Sequence, residues 1–244
     1  MPAERPTIVA TSGGLVRRDR GGVDWAGTVH LAAGLARVPV GRAPRLTYLG
    51  TAAGDQRSWA AEVHAAGERA GFRTTVLDLF PMPSVEDPAG QLLASDVVWV
   101  GGGSVANLLA VWRVHGLGEA FRAAWEAGVV LGGVSAGSIC WFEGGTTDSF
   151  GPVLRPVTDG LGLLPYGNGV HYDSEARRRP LVHELVASGV LGETHCSDDG
   201  VGLVYRGTEL VEAVTEVPGK GAYVVRRGPE GVVETRVEPR DLRG

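Results

Sequence analysis

Cysteine, charge of one sign and long apolar runs are all scarce in this sequence, and each scarcity removes a class of protein. Two cysteines in 244 residues, Cys140 and Cys196, cannot build a disulfide framework. The net charge of −5 comes from 23 basic and 28 acidic side chains scattered along the chain, so the basic stripe of a nucleic-acid binder is missing and no nucleic-acid partner is expected. No apolar run approaches the roughly 20 residues of a membrane span, so no membrane partner is expected either. The N-terminus carries no charged start followed by an apolar segment and a cleavage site, and the expectation is a soluble, cytoplasmic protein. No repeat, low-complexity block or strong linker divides the chain, so residues 1–244 are expected to form a single α/β domain.

What is present is a series of short apolar runs alternating with amphipathic stretches, the pattern of βαβ units in a mostly parallel sheet flanked by helices. Residues 7–11 (TIVAT), 45–49 (RLTYL) and 74–79 read as strands bounded by turn residues. Between the second and third, residues 58–70 read as a crossover helix whose apolar face is Ala60, Ala61, Val63, Ala66 and Ala70. Residues 96–100 (DVVWV) are too apolar to alternate, as expected of a central strand buried on both faces, and they stop at Gly101-Gly102-Gly103. Helices are predicted over 105–115 and 119–127, then a short strand over 129–131. The Val-rich, Gly-punctuated tail from Gly200 reads as antiparallel or edge structure.

The strand at 129–131 feeds straight into GGVSAGSICW, where Gly133-Val134-Ser135-Ala136-Gly137 satisfies the G-x-S-x-G pattern of a nucleophile elbow. A sharp strand-to-helix turn would expose Ser135 Oγ above the sheet, and it tolerates only small neighbours on either side. The Ala136 N–H, at the start of the following helix, is then placed to stabilise an oxyanion. Such a serine needs a base and an acid that orients it. His30, His64, His115 and His183 fall on or beside predicted helices, whereas His171 and His195 flank polar turns and remain as candidate bases. Glu143, Asp148, Asp159, Asp173, Asp198 and Asp199 are all available as the acid, and linear order does not choose among them. The order Ser, acid, late His of an α/β-hydrolase would use Asp148 or Asp159 with His195.

Three stretches in the same order, VWVGGGSVANLL, GGVSAGSICWF and GVHYDSEARRRP, resemble the peptidase E and cyanophycinase family of serine peptidases (family S51). The N-terminal TIVATSGG is similar to that family's first strand. The resemblance implies a fold like the class I glutamine amidotransferases, flavodoxin-like with an elbow serine, and hydrolysis of small peptide substrates, typically with N-terminal aspartate, without metal or organic cofactor. It also implies a homodimer. Carried onto this sequence, it makes Ser135 the nucleophile, His171 the base and the 101–103 loop, with Gly102 and Gly103, the part of the oxyanion hole shared with Ala136. It favours Asp148, in Thr146-Thr147-Asp148, as the acid, with Asp198 or Asp199 as alternatives. Ser104 stands where relatives carry Asn or Asp, and the serine motif runs on as SICWF, departures that bear on strict aspartate specificity.

A dipeptide has charged termini, so the site needs groups for a carboxylate and an ammonium. Of Arg177, Arg178 and Arg179, Arg178 is the expected carboxylate contact, by bidentate pairing, and Ser104 is the other expected substrate contact. Cys140, Trp141 and Phe142 are expected in the core, and His195 beside Cys196 lacks the further ligands of a metal site. Two other readings are an esterase of α/β-hydrolase type and a non-catalytic amidotransferase-like binding domain.

Overall fold

The computed structural model describes residues 3–19 and 21–243. Along the chain run β1 (Thr7–Thr11), β2 (Leu15–Arg17), β3 (Val23–Trp25), α1 (Gly27–Leu35), β4 (Arg45–Leu49), α2 (Arg57–Ala70), β5 (Arg73–Val76), α3 (Pro88–Leu93) and β6 (Val97–Val100). They are followed by α4 (Val105–Val114), α5 (Leu117–Glu126), β7 (Val130–Val134), α6 (Ala136–Ile139), β8 (Phe142–Thr147), β9 (Arg155–Val157), β10 (Leu164–Gly169) and α7 (Arg178–Ser188). The C-terminal part adds β11 (Thr194–Ser197), β12 (Val201–Arg206), β13 (Glu209–Thr215), β14 (Ala222–Gly228), β15 (Gly231–Val237) and β16 (Arg240–Asp241).

The main sheet has the order β16-β13-β12-β1-β7-β6-β4-β5. Its five strands from β1 to β5 are mutually parallel, while β12 runs antiparallel to β1 and β13 antiparallel to β12. The α/β class read from the sequence is therefore observed, with the Val-rich tail supplying the antiparallel edge. Burial follows the pattern that predicted it: every residue of β6 is 0% exposed, as a strand covered by helices on both faces must be. Among the described residues no helix is long and apolar enough to cross a membrane.

A second sheet, β15-β14-β11-β10-β8-β9, is not evident in the sequence pattern. Its core strands β8, β10 and β11 are parallel, yet they read FEGGTT, LPYGNG and THCS, two of them glycine-bearing and the third only four residues long, without the apolar β-branched runs that mark a strand. Residues 166–169, whose Tyr-Gly-Asn-Gly reads as a glycine-rich loop, lie within β10. Glycine is required here by close packing: a Cβ on Gly145 would fall 2.3 Å from the Asn168 carbonyl oxygen. The strand predicted at 74–79 is shorter, ending at Val76, and the one predicted at 129–131 runs on to Val134. Trp112, Phe121 and Trp141, all at most 1% exposed, interlock with ring centroids 4.3–5.9 Å apart and join α4, α5 and the segment after α6.

Candidate active site

The end of β7 makes the elbow that the G-x-S-x-G pattern predicts. Ser135 has φ 57° and ψ −114°, a strained conformation for a residue with a side chain. It is held there by its own backbone, whose N–H donates to the Thr11 carbonyl (3.0 Å) while its carbonyl accepts from Ser138 and Ile139. The two motif glycines allow the chain to double back: a Cβ on Gly133 would lie 2.2 Å from the Gly137 carbonyl oxygen, and one on Gly137 2.2 Å from that of Val100. Ser135 Oγ is thereby left without a protein hydrogen-bond partner among the described residues.

The Gly101-Gly102-Gly103 turn after β6 lies against this serine, close enough that a Cβ on Gly102 would sit 3.3 Å from Ser135 Cβ. The backbone N–H groups of Gly102, Gly103 and Ala136 make no hydrogen bond to another backbone group among the described residues. They are free donors on the flank of Ser135. Gly103 has φ 139°, and a Cβ there would strike the Ala52 carbonyl at 2.3 Å, so only glycine fits.

His171 shares with Ser135 a cavity of about 270 Å³, which Thr147, Asp148, Glu175 and Arg178 also line. It follows β10 and, like Ser135, has a positive φ, 53°. Its backbone N–H donates to Ser12 Oγ (3.0 Å), and Ser12 is fixed in turn on Ser197 (2.7 Å). The Nδ1–H donates to Asp199 Oδ1 at 2.5 Å, which leaves Nε2 as the second ring nitrogen.

That contact differs from the expected pairing with Asp148. Asp148 lines the cavity but makes no hydrogen bond to His171, and Asp199 holds the imidazole. Asp198 turns the other way, accepting from the Gly221 N–H (2.8 Å) and the Tyr223 hydroxyl (3.3 Å), with burial pushing its carboxyl above the usual range. The reason is register. His171 lies just beyond the middle strand of the second sheet, where Asn168 pairs with Gly145 of β8 on one side and Gly169 with Cys196 of β11 on the other. Acids therefore follow both flanking strands at the same edge, and nothing in their linear spacing says which one the imidazole meets.

Arg178 is 2% exposed in the same cavity. One guanidinium nitrogen donates to the Thr146 carbonyl and hydroxyl, another pairs with Glu175 (2.7 Å), and Nε has no acceptor. Ser104 departs from expectation: it is absent from the lining, and its hydroxyl accepts from the Asn107 N–H (3.2 Å) as the N-cap of α4.

A model of peptidase family S51 matches residues 26–213. The chain belongs to peptidase family S51. Among its relatives is the uncharacterized peptidase YgaJ of Bacillus subtilis (strain 168), 37% identical over 191 residues that make up 78% of this chain and 82% of that one. Peptidase E of Streptomyces coelicolor is 31% identical over 129 residues, about half of each chain (52% and 51%). Solved structures share the fold. A peptidase from an acI-B1 Actinobacterium superposes with a TM-score of 0.68 at 13% identity, covering 98% of this chain and 96% of that one. A putative peptidase E protein of Listeria monocytogenes EGD-e gives 0.59 at 16%, covering 96% and 100%.

Within this S51 chain the alternative base is accounted for by the core. His195 is 3% exposed and bonded through both ring nitrogens, Nδ1 to the Tyr205 hydroxyl (2.7 Å) and Nε2 to Glu193 (3.0 Å). Burial depresses its pKa, and it stacks on Tyr166 with centroids 4.2 Å apart. Cys140 is buried with its Sγ on the Gly137 carbonyl (3.3 Å), and burial pushes its thiol well up, away from the reactive thiolate. Among the described residues no group of three or more His, Cys, Asp or Glu side chains could hold a metal ion.

Proposed function

We propose that this S51 peptidase is a serine peptidase acting on small peptides, with Ser135 as nucleophile, His171 as general base and Asp199 as the acid that orients it. The observation that carries the reading is the His171–Asp199 hydrogen bond in the cavity that holds the strained Ser135. Ser135 Oγ attacks the scissile carbonyl carbon while His171 Nε2 accepts its proton. The C–O bond of the tetrahedral intermediate forms as the carbonyl oxygen becomes an oxyanion, which the N–H groups of Gly102, Gly103 and Ala136 stabilise. Collapse expels the leaving amine, protonated by His171, and leaves an acyl-Ser135 ester. Water, deprotonated by His171, then attacks that ester and releases the acid and the free serine.

The cavity's charges support a substrate with charged groups close to the scissile bond. Arg178 lines the cavity and supplies a positive charge for a carboxylate, such as the side chain of an N-terminal aspartate. Asp148, released from the triad, is an exposed carboxylate on the same cavity and suits the substrate's ammonium. A volume of about 270 Å³ lies just below the ~300–1,000 Å³ usual for sites that enclose a small molecule, which favours short peptides over folded proteins. Ester hydrolysis with His195 as base finds no support, because both of its ring nitrogens are engaged in the core.

The test is hydrolysis of Asp-Leu, Ala-Leu, Leu-Leu and Arg-Leu by the wild type and by Ser135→Ala. The proposal predicts cleavage that disappears in the variant, fastest for Asp-Leu. Cleavage of no member by the wild type, or equal cleavage by the variant, overturns it.

A further inference from the structure

A second cavity, of about 180 Å³, opens beside the same glycine turn, with Gly101 and Gly102 in its lining. Its size suits one side chain rather than a whole ligand, since sites for whole small molecules run to ~300–1,000 Å³. Tyr48, Trp59 and Trp99 wall it, and Asp55 and Asp78 are its charged residues. No Lys, Arg or His lines it, and neither carboxylate has an ion-pair partner among the described residues.

Asp55 is the unusual group. It is 9% exposed and has φ 49°, one of four non-glycine residues with positive φ among the described residues; Ser135 and His171 are two of the others. Its Oδ2 accepts from the N–H groups of Leu79 (2.6 Å) and Phe80 (3.1 Å), which fixes the carboxyl, while Oδ1 is buried without any partner. Oδ1 packs beside Gly50 and Tyr48, themselves lining residues: a Cβ on Gly50 would sit 3.4 Å from it and 3.3 Å from the Tyr48 ring. Burial pushes the Asp55 carboxyl above its usual range, as does the charge of Asp78. A buried carboxylate oxygen with nothing to bond is costly, and aromatic faces beside it attract a cation. The Trp59 indole N–H donates to the Tyr48 hydroxyl (2.9 Å), which braces the two rings against each other.

We propose that this cavity binds an organic cation, the guanidinium or ammonium side chain of the residue on the leaving-group side of the scissile bond, with Asp55 as its counter-ion. The assignment of side rests on the peptidase reading. The residue that acylates Ser135 occupies the cavity of Arg178, and the peptide continues past the glycine turn. Gly102, which lines the cavity of Asp55, also lies against the serine, where a Cβ on it would sit 3.3 Å from Ser135 Cβ, so that cavity adjoins the scissile bond.

The experiment compares kcat/KM for aspartyl-arginine and aspartyl-citrulline, whose side chains match in shape and differ in charge. The wild type is expected to prefer the arginine peptide by roughly tenfold or more, the worth of one desolvated charge contact. Asp55→Asn, which keeps an acceptor for Leu79 and Phe80, should erase that preference and leave the citrulline rate little changed. Trp59→Leu, on a partly exposed face of α2, should reduce the preference without touching the carboxylate. No preference in the wild type, or a preference that survives Asp55→Asn, overturns the proposal. Should neither peptide be cleaved, agmatine is titrated calorimetrically into the Ser135→Ala protein. Binding that is lost when Asp55→Asn is added sustains the cation site and places the failure in the peptidase reading. Binding that is absent, or that is indifferent to Asp55, overturns the site itself.

Discussion

At the scale of single residues, the site depends on two backbones held at positive φ, Ser135 and His171. Each aims a side chain into one cavity that a relaxed chain would direct elsewhere. Replacing Ser135 by Ala removes the proposed nucleophile, and kcat should fall by about 10^4-fold or more in a peptide-hydrolysis assay. Asp199→Asn retains the shape but favours the wrong imidazole tautomer, and a loss on the order of 10^2–10^4-fold in kcat is expected. Asp148→Asn separates the two acids: it should raise KM for a peptide with a free N-terminus and leave kcat within a few-fold, since an interaction equal in ground and transition states affects binding alone. If Asp148→Asn lowered kcat as Asp199→Asn is expected to, the assignment of the acid would be reversed. Ser135, His171, Gly102, Gly103, Ala136 and Arg178 could all be singled out from the sequence, since each sits in or beside a recognisable motif. Ser104 could not be judged, because a serine after a strand serves equally well as a substrate contact or as a helix cap, and here it caps α4.

At the scale of elements, the elbow is a packing problem before it is a chemical one. Gly137 can be nothing larger, since its Cβ would meet the Val100 carbonyl oxygen at 2.2 Å and the Val100 carbonyl carbon at 2.7 Å. Gly137→Ala should therefore cost about 1–3 kcal/mol by overpacking, read as a lower urea midpoint, and should displace the Ala136 N–H and lower kcat as well. An unchanged midpoint would mean that α6 can shift away from β6 freely. The strands of the main sheet were readable because β1, β4 and β6 are apolar runs closed by turn residues. The second sheet was not, because β8 and β10 are interrupted by glycines and β11 is only four residues long. Their register decides which acid the proposed base meets: strands β8 and β11 flank β10, and each is followed by a carboxylate at the end where His171 lies. No one-dimensional pattern contains that choice.

At the scale of the whole molecule, the two sheets meet through α6 and the residues after it. Ser135 comes from the end of β7 in the first sheet, and His171 and Asp199 follow the interior strands β10 and β11 of the second. The relative placement of the proposed triad therefore depends on the core between them. Trp141, fully buried and packed on Trp112 and Phe121, is part of that core. Trp141→Ala should cost about 3–5 kcal/mol in chemical denaturation, and a loss below 1 kcal/mol would show that the core does not depend on it. Activation of a serine from one sheet by a histidine from the other can be read by mass-spectrometric mapping of a fluorophosphonate adduct. One adduct is expected, on Ser135, formed by the wild type and by His195→Ala and lost in His171→Ala. Labelling that survives His171→Ala but is lost in His195→Ala, or no labelling of Ser135 in the wild type, would contradict it.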